Sequence, residues 1–589
     1  MLADLTSEEQ GVFDKDKLQI ITERVDDIPL LIAQMTRMGL QEIIDRHIPH
    51  HGNQRPLSWG WTAVIWMAHI ITEGDHRKVS MSEYVQEMQH TLSFLAGQPV
   101  VPLDFSDDRL DHLLRHLSNH SYWSKIEADL NQQTIEVFEL TTEIIRCDAT
   151  TVSADQEVTE DGLVQFGHSK DNANLPQIKL MSAALDPLGM PLASDVVSGE
   201  RADDGLYIPL IARIIESLKK TGLLFSGDCK MSALETRAYL VSSGNHYLCP
   251  LPLTGKTAHE ITDWIDAGIA KNQKGDLTSV FRENYKGEVI LAAKGYEFDR
   301  PQSFEKDGKK IEWNERVLVV HSPAHAKQQT AGLETRLETA RKKIEALTPP
   351  RGKGRRQISD ETELFAAISK IIEKQRVDGL LNIQYEKEVE QKTKYVGKGR
   401  GSANREKITF ETVRYQITSL EKDQEAITEQ SARFGWKAFV TEAAADKMSL
   451  HDAILSYRDE YRVEQIFGRL KSRLNIAPLF VRKDDQIEGL TYLLTLCVRV
   501  LTLIEFVVRR SLKEEKTGLA GMHPENRKKI NDKPSAERIL KAFSKINLTI
   551  ILDQAGNVVV RSLKPLSDLQ IEIIQRLNLD PLVYYGLEN

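Results

Sequence analysis

An α/β core, split by a mixed α+β insertion and flanked by helical regions, is the fold class the sequence predicts. Three observations predict it. Apolar spacing is helical up to about residue 135; it then gives way to short strand-like runs alternating with helices; and between 256 and 445 polar helices and basic loops interrupt that alternation. A chain of 589 residues has room for several domains, and its 41% hydrophobic and 28% charged content excludes a largely disordered protein.

Residues 1–135 read as a helical N-terminal region. Ile28 to Ile32 leads into Met35, Met38, Leu40, Ile43 and Ile44, with Gly39 breaking the run, so a helix, a turn and a second helix are expected. Further helical patterns cover Trp59–Ile71, Met81–Phe94 and Arg109–Leu117, the last preceded by Asp107 and Asp108 as helix-start residues. Such a region suits a DNA-binding module and equally a helical domain that only packs.

Between 136 and 255 the period shortens. Glu143 to Asp148 reads as a strand ending on a carboxylate. Lys179–Ala184 and Pro191–Val197 read as a hairpin joined by Asp186-Pro187-Leu188-Gly189, and a helix is expected from about Asp204 to Lys220. Leu223-Leu224-Phe225 then runs towards a second carboxylate, Asp228, just before a helix that Ser232 could cap, and His246–Leu251 closes the set. In open α/β sheets, chemistry gathers at the carboxyl ends of strands.

The stretch 256–445 reads as an insertion. Strand-like pieces at Glu288–Ala293 and Val317–His321 precede a polar helix near Gln328–Leu347. Two basic loops follow. The first carries Arg351, Lys353, Arg355 and Arg356, and the second, Lys392 to Lys407, includes Lys398 and Arg400. Glycines in both allow close approach to a phosphate chain. Either loop alone reads as a solvated linker about as well; together, in one segment, they favour a nucleic-acid contact. Residues 446–482 carry an amphipathic helix, and 483–589 form a helical C-terminal region with a hairpin-like piece at Leu548–Val560. Leu490–Val508 is apolar enough to be considered as a membrane span, yet Arg499 and Glu505 are costly at bilayer depth. A buried helix in a cytoplasmic protein with no membrane partner is expected; Met1 to Lys15 is acidic and polar, unlike a signal peptide.

The 77 basic against 86 acidic residues leave a net charge of −9, which at the scale of the whole chain speaks against a nucleic-acid partner. Four cysteines without CxxC spacing exclude a disulfide scaffold and a zinc or redox pair. His47, His50 and His51 cluster without a cysteine nearby to complete a common zinc set. Gly167-His168-Ser169-Lys170 sits between the first two strands, where it lines the site or forms a surface turn.

The helix near 450–480 is more specific. Val463, Phe467, Leu470 and Leu474 recur at helical steps, and a continuous helix from Tyr457 would place Tyr457, Glu460, Glu464 and Lys471 within about 60° of arc. Two strand-end aspartates and one helix glutamate are hard oxygen donors suited to Mg²⁺ or Mn²⁺, and two such ions serve in-line phosphoryl transfer.

This pattern resembles the DDE transposases of bacterial insertion sequences. Within them it is similar to the branch whose third carboxylate lies in Tyr-x2-Arg-x3-Glu-x6-Lys after a long insertion. Tyr457, Glu464 and Lys471 match at those spacings, with Asp148 and Asp228 as the aspartates. Gly167–Asp171, Gly227–Met231 and Tyr461–Glu464 also look family-like. The resemblance implies a ribonuclease-H-like core and Asp148, Asp228 and Glu464 as catalytic and metal-holding residues with two Mg²⁺ or Mn²⁺ ions. It further implies Lys471 on a phosphate, Tyr457 positioning the DNA end, binding of double-stranded DNA as transposon ends and target, and a homodimer pairing two ends. The signature arginine position holds Glu460. That departure keeps open a DNA-binding descendant without catalysis; a nuclease without strand transfer is the other alternative.

Overall fold

The structure, a computed structural model, describes residues 18–588 except 51, 53, 54, 285, 286, 353, 398–403, 460, 524 and 527. It divides into two compact units. The first takes the described residues up to 249 with 303–313 and 456–588, and the second takes 250–302 and 314–455.

In the first unit, strand β1 (Gln19–Arg24) precedes a run of helices: α1 (Ile28–Arg37), α2 (Leu40–His47), α3 (Trp59–Glu73), α4 (Met81–Glu87), α5 (Gln89–Ala96), α6 (Asp107–Ser118) and α7 (His120–Val137). Gly39 separates α1 from α2 in the left-handed region, φ 71°, which an L side chain adopts only at a cost. The Met81–Phe94 pattern is two helices, broken at Met88.

The central sheet of this unit comprises β2 (Ile144–Ser153), β3 (Gln177–Leu185), β4 (Met190–Ser198), β5 (Leu224–Gly227) and β6 (His246–Pro250), in the order β4-β3-β2-β5-β6. β2, β3 and β4 are antiparallel neighbours, whereas β2, β5 and β6 run parallel. The parallel connections carry helices α8 (Tyr207–Leu218) and α9 (Leu234–Ser242). Every residue of β3 is buried, so both faces of the sheet are covered there. Ser232 does not cap α9: its hydroxyl donates to the Cys229 carbonyl at 2.7 Å, and the helix starts after Ala233 without a side-chain cap.

Helices α14 (Leu450–Arg458) and α15 (Tyr461–Gly468), followed by a wide π-type turn at Arg469–Arg473, lead to the long α16 (Asp484–Glu514). Apolar residues of α16 from Leu490 to Val508 pack inside the unit, and the charges that made a bilayer costly have protein partners. Arg499 donates to Asn131 Oδ1 and to the Pro191 carbonyl, both at 2.7 Å, and burial lowers its pKa to about 10. Glu505 pairs with Arg469 and with Arg509. The chain then adds α17 (Ala536–Lys541), β13 (Asn547–Leu552), β14 (Val558–Leu563), α18 (Asp568–Arg576) and α19 (Leu582–Tyr585). The hairpin β13–β14 takes β1 as its third strand, Gln19 opposite Leu552 through Arg24 opposite Asn547.

The second unit begins with α10 (Ala258–Lys274) and β7 (Thr278–Glu283), with β8 (Val289–Lys306) and β9 (Lys309–His321) as long strands where the sequence shows only short pieces. Helices α11 (Pro323–Glu345) and α12 (Glu361–Gln375) pack through Leu333, Leu337, Ile344, Leu364 and Ile368. Beyond them β10 (Leu381–Tyr395) and β11 (Lys407–Lys422) form an antiparallel hairpin, followed by α13 (Gln424–Ala432) and β12 (Trp436–Thr441), the latter paired with β9. Lys392 and Lys394 therefore belong to a strand, not to the loop expected over Lys392–Lys407. Alternating Leu381, Ile383 and Tyr385 fit a strand with one packed face.

Candidate active site

Two strands of unequal length create the site. β2 does not end at Asp148, as the sequence pattern led us to expect; Thr150, Thr151 and Val152, all β-branched, carry it on to Ser153 against β3. Its parallel neighbour β5 pairs only as far as Cys147 opposite Gly227. Asp228, the next residue, therefore stands at the register position beside Asp148, and in-register residues of parallel strands project to the same face. At Gly227 a Cβ would lie 2.9 Å from Met231 Sδ and 3.0 Å from the Cys147 carbonyl oxygen, so a side chain there would require Met231 and β2 to give way.

Asp228 is fixed through one oxygen. The Tyr207 hydroxyl, at the start of α8, donates to Oδ1 at 2.7 Å, and the Lys230 backbone N–H donates to the same atom at 2.8 Å. Burial, then the charge of Asp228, pushes the Tyr207 pKa well above its usual value, so this hydroxyl is a permanent donor. Asp148 lies mid-strand with its side chain 16% exposed and accepts the Ala149 N–H at 2.7 Å. Burial pushes its pKa up to about 6; Lys170 and the Ala149 N–H oppose the shift, and the charges of Asp228 and Glu464 add to it. Lys170 Nζ stands 3.9 Å from Asp148 Oδ1 while donating to the Ala149 carbonyl at 2.6 Å. The Gly167–Lys170 segment thus lines the site.

Glu464 is exposed on α15, which buries Val463, Ile466 and Phe467 and packs on β2 and β3. Arg462 holds the start of this helix. It donates to the Pro187 carbonyl, binds Asp459 at 3.0 Å and approaches Asp186 at 3.4 Å, linking α15 to the turn between β3 and β4. Within that turn a Cβ at Gly189 (φ 69°) would meet the Arg462 carbonyl oxygen at 2.8 Å, which fixes how closely the two pack.

The continuous helix from Tyr457 is not present. α14 ends at Arg458, and the Arg462 N–H donates to the Asp459 carbonyl at the start of a new helix, so the wheel placing Tyr457, Glu464 and Lys471 on one face does not apply. The apolar period that suggested it, Val463, Phe467, Leu470 and Leu474, is buried as expected, but it begins only after the break. Tyr457 is half-buried at the end of α14, and Glu460 lies outside the described residues. Lys471 sits in the π-type turn, with Nζ 2.7 Å and 2.9 Å from the Asp171 carboxylate oxygens.

Of the basic residues of the second unit expected to contact DNA, the described ones, Arg351, Arg355 and Arg356, have protein partners. Arg351 pairs with Glu390 and, at 3.5 Å, with Glu388; Arg356 pairs with Glu363; Arg355 donates to the Pro350 carbonyl at 3.5 Å. Lys353, Lys398 and Arg400 lie outside the described residues. Of the histidine cluster, His47 contacts Asp129 at 2.8 Å, His50 faces the Arg55 carbonyl at 3.3 Å, and His51 is outside the described residues. Cys147 is buried and Cys229 half-buried.

Asp148, Asp228 and Glu464 offer the hard oxygen donors that Mg²⁺ or Mn²⁺ takes, and their mutual repulsion is the electrostatic condition a cation relieves. Among the described residues, though, no three His, Cys, Asp or Glu side chains converge tightly enough to share one ion. The donor chemistry fits a divalent metal; the cage is not closed. Sequence reasoning missed Tyr207 and Arg462 as holders of the site. Nothing in the sequence marks Tyr207; Arg462 lies in the family-like stretch Tyr461–Glu464, but its hold on the β3–β4 turn shows only in space.

Residues 139–500, more than half of the chain, match the family described as the transposase DDE domain. No curated protein sequence matches. Among solved structures, the cryo-EM synaptic complex of piggyBac transposase with hairpin DNA aligns over 48% of this chain and 57% of that one, at 10% identity and a TM-score of 0.23. The alignment spans little more than half of that protein, and a likeness so slight does not fix a shared fold.

Proposed function

The chain belongs to the transposase DDE-domain family, and from that premise we propose that it is the transposase of a bacterial insertion sequence, in the branch with the Tyr-x2-Arg-x3-Glu-x6-Lys signature. One observation carries the reading: Asp228 directly follows β5, whose last residue Gly227 pairs with Cys147, and so comes beside Asp148 of the parallel strand β2, with the charge of Glu464 adding to that around Asp148. The mixed sheet, antiparallel on one side of β2 and parallel on the other, supports a ribonuclease-H-like core. DDE transposases generally use divalent metal ions, and here Asp148, Asp228 and Glu464 would hold two, Mg²⁺ or Mn²⁺. Bound there, the metal would supply Lewis-acid activation of the attacking oxygen and stabilisation of the leaving one.

The chain's own groups do the rest. Tyr207 and the Lys230 N–H hold Asp228 by Oδ1, and Oδ2 takes no part in those two hydrogen bonds. Lys170 offsets part of the carboxylate charge beside the incoming phosphate. Water attack on the scissile phosphodiester frees a 3′-hydroxyl, and that hydroxyl then attacks a target phosphodiester in the same site. The helical N-terminal region binds the inverted repeats, two copies pair two ends, and the protein acts in the cytoplasm.

Cleavage of end-containing DNA by Asp148→Asn, Asp228→Asn and Glu464→Gln proteins tests the assignment: each is expected to lose activity, and wild-type activity in any one removes that residue from the site. Precut ends offered with a plasmid must be joined to it; cleavage without joining would make the protein a nuclease.

A further inference from the structure

Within the first unit, a groove runs between the start of α15 and the C-terminal half of α16. Its walls include Tyr461, Arg462, Phe506, Arg509, Arg510 and Lys513. Four of these are cationic, and the single carboxylate in the lining, Glu505, is already committed to Arg509, Arg469 and the Ala536 N–H. Among the described residues neither Arg510 nor Lys513 has a carboxylate partner. Arg510 instead donates to the Phe138 carbonyl at 2.7 Å and lies 5.2 Å from the centre of the Phe506 ring. Lys513 is exposed, as is Tyr461 at 50%, with the Arg462 guanidinium 5.8 Å from the Tyr461 ring centre.

The groove and the candidate catalytic glutamate share a helix. Tyr461 and Gln465, one turn apart, face the groove, and Glu464 projects about 60° from Tyr461 on the helical wheel. A strand leaving the carboxylates on that side enters a groove where two cations without carboxylate partners, Arg510 and Lys513, lie beside the Phe506 and Tyr461 rings, while Arg462 and Arg509 are held by Asp459 and Glu505. Cations take the phosphates without regard to sequence, and the rings offer flat contact to the sugars. In a protein of net charge −9, a groove whose cations outnumber its carboxylates, beside an acidic site, is matched in charge by a polyanion.

We infer that this groove binds the sugar–phosphate backbone of the DNA strand emerging from the Asp148–Asp228–Glu464 site. The inference rests on the transposase reading and adds a binding surface to it. A fluorescently labelled duplex of random sequence, titrated against the full chain at several salt concentrations, is the test. Lys513→Ala is expected to weaken binding about threefold, and Lys513→Ala with Arg510→Gln about tenfold or more. The slope of log affinity against log salt should fall by about 0.9 for each phosphate no longer neutralised. Lys513 is exposed, so its single variant stays folded if the double does not. A photo-crosslinking phenylalanine analogue at Tyr461 should capture the duplex. Unchanged affinity and slope in the variants, beside a wild-type protein that does bind DNA, would overturn the groove alone. Crosslinking to a second copy in place of DNA would do the same. Absence of any DNA binding by the wild type would overturn both readings.

Discussion

The carboxylate site of the first unit and the basic segment of the second treat charge in opposite ways. Around Asp148 and Asp228, acids are gathered with one lysine at the edge of ion-pair distance, and the imbalance adds to the burial that pushes Asp148 upwards to a pKa of about 6. In the second unit, Arg351 and Arg356 are met by Glu388, Glu390 and Glu363 within their own unit. The first arrangement is costly without a cation, whereas Arg351 and Arg356 are already paired. A local excess of like charge therefore marks a site better than a local count of charged residues does. By that measure the groove containing Arg510 and Lys513 stands with the carboxylates, and the loop containing Arg351 and Arg356 does not.

Four experiments sharpen or break this contrast. The largest effect is expected at Asp228, where Asn removes a metal-holding charge at little steric cost. Cleavage of labelled end-containing duplex should fall by about a thousandfold or more, since residues acting directly in the reaction contribute on that scale. Next comes Tyr207→Phe, which deletes the hydroxyl on Asp228 Oδ1 and keeps the ring. A loss of about 10–100-fold in metal affinity or activity is expected for such an outer hydrogen bond. Activity recovered by raising Mn²⁺ separates this positioning role from misfolding.

A smaller effect is expected at Asp27, a buried carboxylate away from the site that accepts the Thr72 hydroxyl at 2.7 Å. Burial raises its pKa from 3.8 to about 6, against the Thr72 hydrogen bond. Because the folded value lies above the unfolded one, its contribution to stability is complete below about pH 4 and is lost as pH rises through about 6. Asp27→Asn should therefore match wild type in unfolding free energy near pH 4 and exceed it at pH 8 by about 1–3 kcal/mol, as denaturant titration at the two pH values would read. Mg²⁺ should leave that difference unchanged, and a Mg²⁺ effect would argue that Asp27 belongs to the metal's surroundings. The smallest effect belongs to Arg351→Ala with Arg356→Ala. Exposed ion pairs contribute little, and residues already paired with glutamates have little charge to offer DNA. A titration showing more than about a twofold loss of DNA affinity would reverse the ranking of the two regions.

How far the sequence reaches depends on whether an element announces itself locally. The Asp186–Gly189 turn did, because proline and glycine restrict the backbone whatever surrounds them, and β3 and β4 flank it. So did β5 running into Asp228, and so did α16, whose apolar run carries Arg499 and Glu505 and therefore favours burial in protein over a bilayer. The break between α14 and α15 did not. The apolar period continues smoothly from Val463 onwards, and nothing before it signals that Tyr457 belongs to another helix. β1 was invisible for a different reason: its partner β13 lies more than 500 residues away, and pairing at that distance leaves no local trace. The β10–β11 hairpin was obscured by its lysines and glutamates, which suit an exposed face as well as they suit a loop. Of the candidate site, residue type and spacing marked the acids, whereas Tyr207 and Arg462 emerge only when α8 and the β3–β4 turn are placed beside them.

The shortness of β5 has one more consequence. Side chains on a strand alternate faces, each residue advancing about 3.3 Å. Inserting one residue into β5 while keeping its pairing with β2 would send the Asp228 carboxylate through to the opposite face of the sheet, with its chemistry intact and its neighbours gone. Inserting two would restore the face but carry the carboxylate about 6.6 Å past Asp148, out of reach of a shared ion. Parity and length are thus both fixed by a four-residue strand, Leu224–Gly227. Its length tolerates change far less than its composition does.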